Sequence, residues 1–382
     1  MTERAAGAAV RGLEDIVAGS TGISHVGREG VLLYRGYDID DLAAHASYEE
    51  VAHLLLIGHL PNRTELEAFT SQLVPERALS PFMGRLVTEM AVTGTPMDVL
   101  RTVVSASAVE DPDEGNNSAD ANLRKAIRLT AKLSTIVGSY VRQRRGKQPI
   151  APDPARGHAA NFAHMLFGEE GHEDTADVLN LGLILQADHG FNASTFTARV
   201  VASTTADMHA AITAALGALK GPLHGGATDG TMRMLEDIGN ADRVDDWLRE
   251  GFSHKGFRVP GFGHRAYRAF DPRAKHFHRV ARLLADRTGR TTFVDIQERL
   301  VELVPPLISN PGYRFPNVDF FAATTYNLLG IDADLGTSIF AVGRIAGWCA
   351  HVMEQHADNR IIRPESEYVG PRGLQYVPLD RR

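Results

Sequence analysis

Arg258-Val-Pro-Gly-Phe-Gly-His-Arg-Ala-Tyr-Arg-Ala-Phe-Asp-Pro-Arg273 puts glycines, a histidine and four arginines into sixteen residues. Gly261 and Gly263 flank Phe262 just before His264, so the backbone there can bend sharply or let a ligand come close. Asp271-Pro272 reads as a helix start, with Asp as N-cap and Pro at the first helical position. A histidine on a glycine loop, with arginines ahead of a helix N-terminus, suits an anionic substrate that needs a proton. From these residues alone, a basic surface turn in which His264 has no role is the competing reading.

Outward from this stretch, charge is unevenly spread. The net charge is -7, which argues against nucleic acid as a partner. Yet 255–290 holds ten Lys/Arg against two Asp/Glu, a balance of +8, so the rest of the chain carries -15. Such an island can concentrate an anionic ligand, or it can be a solvated helix face. The single cysteine, Cys349, excludes an intrachain disulfide and fits a reducing compartment. The N-terminal residues lack a signal-peptide pattern and no apolar run is long enough for a membrane span, so a cytoplasmic location is expected.

Helix signals dominate on both sides. Ser47-Tyr-Glu-Glu50 is a capping box, and Asn62-Arg-Thr-Glu65 has the same pattern. Further helices are expected over 97–109, 122–144, 158–166, 174–185, 194–202 and 208–219, then 231–238, 244–251, 272–288, 293–303, 316–329 and 335–355. A short helix is expected near 12–18, a small hairpin over 23–34, and an exposed loop over 111–120. The fold class is all-α, with fifteen or more helices and at most that hairpin. A smaller basic helical domain over 225–330 is inserted into a larger one formed by 1–224 and 331–382.

Several polar groups stand out within this helical frame. Gly221-Pro-Leu-His-Gly-Gly226 closes a helix and places His224 beside free backbone amides, where it can donate to a developing oxyanion. A C-cap with an incidental histidine is the alternative. Ala187-Asp-His189-Gly-Phe-Asn-Ala-Ser-Thr195 is a polar break between apolar helices; either Asn192 and Ser194 are caps and His189 is exposed, or the break binds something. Asp319, in Pro316-Asn-Val-Asp-Phe-Phe321, suits a helix N-terminus, and equally suits a general base shielded by Phe320 and Phe321. Arg344 lies inside an apolar helix and needs a carboxylate partner or an anionic ligand. His276 and His278 are two apart on a helix and diverge, and His-Glu-x-x-His is missing, so no metal site is expected.

Six of these motifs, in order, resemble the citrate synthase family: Gly221-Pro-Leu-His-Gly-Gly226, Gly261-Phe-Gly-His-Arg265, Asp271-Pro-Arg-Ala274, Pro316-Asn-Val-Asp-Phe320, Arg344-Ile-Ala-Gly-Trp348 and Arg363-Pro364. The resemblance runs from Gly12 to the C-terminus. It implies an all-α homodimer whose large and small domains close over the site, with no cofactor or metal. It makes Asp319 the base that takes a methyl proton from acetyl-CoA, His224 the donor to the thioester oxygen, and His264 the donor to the ketone of oxaloacetate. His189, Arg273 and Arg344 match positions that hold oxaloacetate, and Arg363 matches one supplied by the partner subunit. Val259, Pro260, Gly261, Phe262, Gly263 and Arg268 match the CoA side. Dimer contacts are expected on apolar helices around Ile184, without NADH control.

The chain departs from the common family pattern at Thr228-Asp229, Gly190, Phe321-Ala-Ala323, Gly336 and Gly343, which leaves the acyl and ketoacid pockets open. Relatives that make 2-methylcitrate from propionyl-CoA share most of the motifs, and a silent CoA- or dicarboxylate-binding protein on this fold is a third reading. A binding module has no need of a base such as Asp319.

Overall fold

The computed structural model describes residues 10–13, 15–225 and 227–382. Strands β1 (Ser24–Gly27), β2 (Val31–Tyr34) and β3 (Tyr37–Asp38) form an antiparallel meander, pairing Ser24 with Tyr34 and Leu33 with Asp38. The expected hairpin is therefore present, with a third strand added. The helices follow as α1 (Ile39–His45), α2 (Tyr48–Ile57), α3 (Arg63–Leu73), α4 (Pro81–Met90), α5 (Pro96–Ser107), α6 (Ala119–Arg144), α7 (His158–Phe167) and α8 (Thr175–Gln186). The chain continues through α9 (Ala193–Ala202), α10 (Met208–Leu219), α11 (Ala227–Ile238), α12 (Val244–Ser253), α13 (Pro272–Thr288), α14 (Thr292–Leu307), α15 (Val318–Leu328) and α16 (Gly336–Ala357).

Local signals set many of the starts. Both capping boxes form, Ser47 with Glu50 and Asn62 with Glu65. Asp271 caps α13 with Pro272 in its first turn, and Asn317 caps α15 by accepting from the Asp319 N–H. Among the described residues of 12–18, only a 3-10 turn at Arg11–Leu13 appears, with Gly12 at φ 68, in place of the expected helix. The acidic stretch over 111–118 is not a free loop. Arg128 makes a fork to Asp111 at 2.7 and 2.9 Å, Arg124 reaches Asp113, and Lys125 donates to the Asn116 carbonyl. Charges that look solvated in sequence are consumed in pinning this segment to the start of α6.

α16 is the axis of the molecule, packing along α6, α8, α9 and α10. Two of its glycines make this possible. A Cβ on Gly343 would meet the Leu183 backbone at 2.9 Å, and one on Gly347 would meet the Ala187 carbonyl at 2.2 Å. The end of α8 therefore lies directly on α16. Tyr34 reaches from β2 into the same junction, with its hydroxyl 3.0 Å from the Asp188 carbonyl. Trp348 is fully buried and donates its indole N–H to Ser194 Oγ at 3.2 Å. The helices α11–α15 pack mainly on one another, α13 and α11 against α15, and meet the rest where α13 touches α1 and α8 and where α11 and α15 touch α16. Ile184 is wholly buried within the chain, so it is not available to a partner.

Candidate active site

The polar break between α8 and α9 is the floor of the site. Asn192 caps α9 by accepting from the Ser194 and Thr195 N–H groups. His189 is not exposed: it is buried, with Nε2 2.9 Å from the Tyr267 hydroxyl and its ring 5.0 Å from that of His264. Burial, with Arg273 and His264 nearby, holds its pKa well below the usual histidine range. Beneath it, Asp188 is fully buried and accepts from Ser24 Oγ and from the Gly190 N–H. Arg199 Nη1 can only donate to His351 Nδ1, at 3.1 Å, so the His351 proton sits on Nε2, 3.3 Å from Asp188. The hairpin, the α8–α9 junction and α16 are thus tied together directly under His189.

His224 stands on the turn after α10, half-buried. Gly225 is required there, since a Cβ would overlap the Leu219 carbonyl at 2.4 Å and Thr337 Cγ2 at 2.7 Å. His224 Nε2 lies 2.8 Å from Ser194 Oγ and 3.3 Å from the Ser194 N–H. A backbone N–H only donates, so Nε2 is the acceptor and Nδ1 carries the ring proton. Burial and Arg344 lower the pKa of His224 to about 4, so the ring is neutral at pH 7.

Asp319 is buried in the first turn of α15, just ahead of the buried Phe320 and Phe321. Its carboxylate accepts a hydrogen bond from Thr228 Oγ1 on α11, at 3.3 Å. Burial raises its pKa to about 6, against the pull of Arg273 and the Thr228 hydrogen bond. The desolvation of a carboxylate here exceeds what the nearby cations return.

His264 is placed by the glycine loop. Gly261 and Gly263 have φ of 78 and 98, open to glycine without strain. The loop is laced to the segment before α15: Gly263 N–H to the Phe315 carbonyl, His264 N–H to that of Gly312, and Asn317 N–H to that of Gly261, at 2.8–2.9 Å. His264 Nδ1 accepts the N–H groups of Ala266 at 3.0 Å and Tyr267 at 3.1 Å. Its proton is therefore on Nε2. Burial brings its pKa down to about 4, Asp271 opposing.

Two buried arginines differ sharply. Arg273 makes a fork to Asp271 at 3.0 and 2.8 Å. Arg344 donates Nε to the Gln186 carbonyl at 2.6 Å; Nη1 and Nη2 are buried with no hydrogen-bond partner among the described residues. Burial lowers its pKa to about 10, which leaves it charged at neutral pH. Asp188 and Asp319 are near enough to favour its charge, but among the described residues no carboxylate pairs with it, and such a buried guanidinium edge suits an anion.

The other expected residues are placed unevenly. Val259 and Phe262 are buried, Phe262 edge-on to Phe320 at 5.0 Å, so their side chains serve packing. Pro260, Gly261 and Gly263 complete the loop, and Arg268 donates to carbonyls of its own turn. Arg363 lies on an exposed tail after α16. Its neighbour Ile362 is docked on Ser203 at the far end of α9, roughly 13–14 Å by helix rise from Ser194, the residue that His224 touches. Part of the +8 island is neutralised by acids outside it: Arg282 by Glu298 and Asp295, Arg287 by Asp174 and Lys275 by Asp40, while Arg273 is paired with Asp271 inside it. Sequence reasoning missed Tyr267, Thr228, Ser194 as a partner of His224, and Asp188. Tyr267 lay inside the stretch quoted first, Asp188 and Ser194 inside the polar break, and Thr228 at a departure from the family pattern; their partners His189, Ser24, His224 and Asp319 lie 30 to 164 positions away and gave no local signal.

A family model described as "Citrate synthase, C-terminal domain" matches residues 12–365. The chain is 42% identical over 375 residues to Citrate synthase 2 of Bacillus subtilis, covering 98% of this chain and 99% of that protein. It is also 42% identical over 361 residues to 2-methylcitrate synthase of Mycobacterium tuberculosis, covering 94% and 90%. The citrate synthase of Thermoplasma acidophilum, solved with carboxymethyl coenzyme A and oxaloacetate, superposes with a TM-score of 0.92 at 31% identity, over 97% of this chain and 98% of that one. With the fold, the ordered motifs and near-complete coverage in agreement, this chain belongs to the citrate synthase family and is an acyltransferase of that type.

Proposed function

We propose that the protein condenses acetyl-CoA with oxaloacetate and hydrolyses the citryl-CoA formed, releasing citrate and CoA. The observation that carries this is Asp319: a buried carboxylate raised to about 6, basic yet ionised at neutral pH. It takes a proton from the acyl methyl group. The thioester oxygen gains negative charge and is met by the Nδ1–H of neutral His224, a fixed donor rather than a charged acid. The carbon then attacks the ketone of oxaloacetate, whose oxygen receives the Nε2–H of His264. The unpaired Nη1 and Nη2 of Arg344 hold a ketoacid carboxylate, with His189 and Arg273 beside it, which supplies orientation. Water then attacks the thioester carbonyl, and CoA departs as the thiol. No resident cofactor or metal takes part in this scheme.

In this reading, 225–330 forms a smaller domain carrying Asp319 and His264, which closes on 1–224 and 331–382 and excludes water. The self-packing of α11–α15 supports it. We also propose a homodimer in the cytoplasm in which Arg363 completes the partner's site. Its support is the tail after α16, where Val369, Leu374, Tyr376 and Leu379 are exposed apolar residues on an extended chain. The free, buried Cys349 fits a reducing compartment.

The similarity to a 2-methylcitrate synthase favours a second acyl donor, propionyl-CoA, at the same site. One methylene is worth roughly 10–200-fold in discrimination. A thiol-release assay with oxaloacetate and each acyl-CoA decides: faster turnover of acetyl-CoA is expected, faster propionyl-CoA turnover reverses the assignment, and no thiol from either refutes both.

A further inference from the structure

α2 stops at Gly58, in the left-handed region at φ 108, and α3 is capped by Asn62. This tight link brings His53 of α2, His59 of the link and Glu65 of α3 together. One ligand-capable atom of each lies within 4.8 Å of the others. His53 is buried, edge-on to Phe69 at 5.5 Å and to His59 at 5.2 Å. Its Nδ1 is 3.0 Å from the His59 carbonyl oxygen. A carbonyl only accepts, so the proton is on Nδ1 and Nε2 keeps its lone pair. Metal-binding histidines are oriented in this way, by a hydrogen bond from the second ring nitrogen to a backbone carbonyl.

Glu65 is oriented as well. Its N–H donates to Asn62 Oδ1 at 3.0 Å, and its Oε2 accepts the Asn62 N–H at 2.8 Å. Oε1 is left facing His59 Nε2 at 3.3 Å. Metal bonds of about 2.0–2.2 Å place tetrahedral ligand atoms roughly 3.3–3.6 Å apart, so the set must close by about 1 Å. The exposed His59 ring supplies that movement by side-chain rotation. Two imidazoles and one carboxylate, without thiolate, suit a borderline divalent ion rather than magnesium or calcium.

We propose that His53, His59 and Glu65 bind a divalent first-row transition-metal ion, with Zn(II) as the fitting case, and that the ion ties the end of α2 to the start of α3. Consecutive members are six positions apart and fall on helix, turn and helix, so they match no short motif. Chelator-treated full-length protein titrated with Co(II) should take up one ion per chain, with a visible d–d absorption that Zn(II) displaces. His59→Ala and Glu65→Gln should each weaken Co(II) binding about tenfold or more. Glutamine can still close the capping box, so E65Q should keep its fold. Both variants should retain wild-type circular dichroism and thiol-release rates. Absence of the absorption in the wild type, or its survival at wild-type affinity in either variant, overturns the proposal.

Discussion

Asp319 trades stability for basicity. Its pKa moves from 3.8 to about 6 on folding, a cost on the order of 3 kcal/mol when it is ionised. Because the folded value lies above the unfolded one, the penalty is absent below about pH 4 and complete above about pH 6. Asp319→Asn should therefore lose about 10³-fold or more in turnover, while its Tm at pH 8 equals or exceeds that of the parent. A lower Tm at pH 8 would contradict the buried-charge account. In the free enzyme, kcat/KM should fall with an acid limb near pH 6. Thr228 acts on that limb, since its hydroxyl bonds the ionised carboxylate and lowers the pKa. Thr228→Val should move the limb to higher pH, and Thr228→Ser should restore it. A limb that stays put in the valine variant would assign Thr228 to packing alone.

Among the elements, the loop over 258–271 is where a small change should be felt most. A Cβ on Gly261 would meet Phe320 Cδ2 at 2.6 Å and Thr231 Oγ1 at 2.8 Å, at a φ of 78 that side chains avoid. Gly261→Ala should displace the loop, costing about 1–2 kcal/mol in backbone strain alone. Calorimetry should show a Tm lower by a few degrees, and kcat/KM for acyl-CoA should drop about tenfold or more. Helix starts were legible beforehand because a cap is settled within four residues, as at Ser47, Asn62 and Asp271. The segment over 111–118 is the mostly exposed loop expected, but what pins it, Arg124 and Arg128, lies a turn or more inside α6 and gave no local signal. The Gly343 and Gly347 spacing was on view in the sequence, but its purpose depends on α8 lying against that face.

For the whole molecule, the open question is whether each site is completed in trans. Arg363 is on the exposed tail, at the opposite end of α9 from His224. Arg363→Ala and Asp319→Asn should each be nearly inactive alone. Refolded together, they should recover about a quarter of wild-type turnover, since half of the dimers are mixed and each mixed dimer holds one complete site. Sedimentation should show dimers throughout. Recovery no greater than the sum of the two parents would place Arg363 in its own chain's site or outside it. Residue order alone carried the helix-rich class and the caps, because capping and helical periodicity act over neighbouring residues, and it carried His224, His264 and Asp319 as candidates through short motifs whose roles the family resemblance supplied. Only the tertiary structure decided which arginine edge stays free, which ring nitrogens hold protons, and how much of the basic island survives. Those depend on burial and on partners more than a hundred positions away, as Arg344 depends on Gln186 and Lys275 on Asp40.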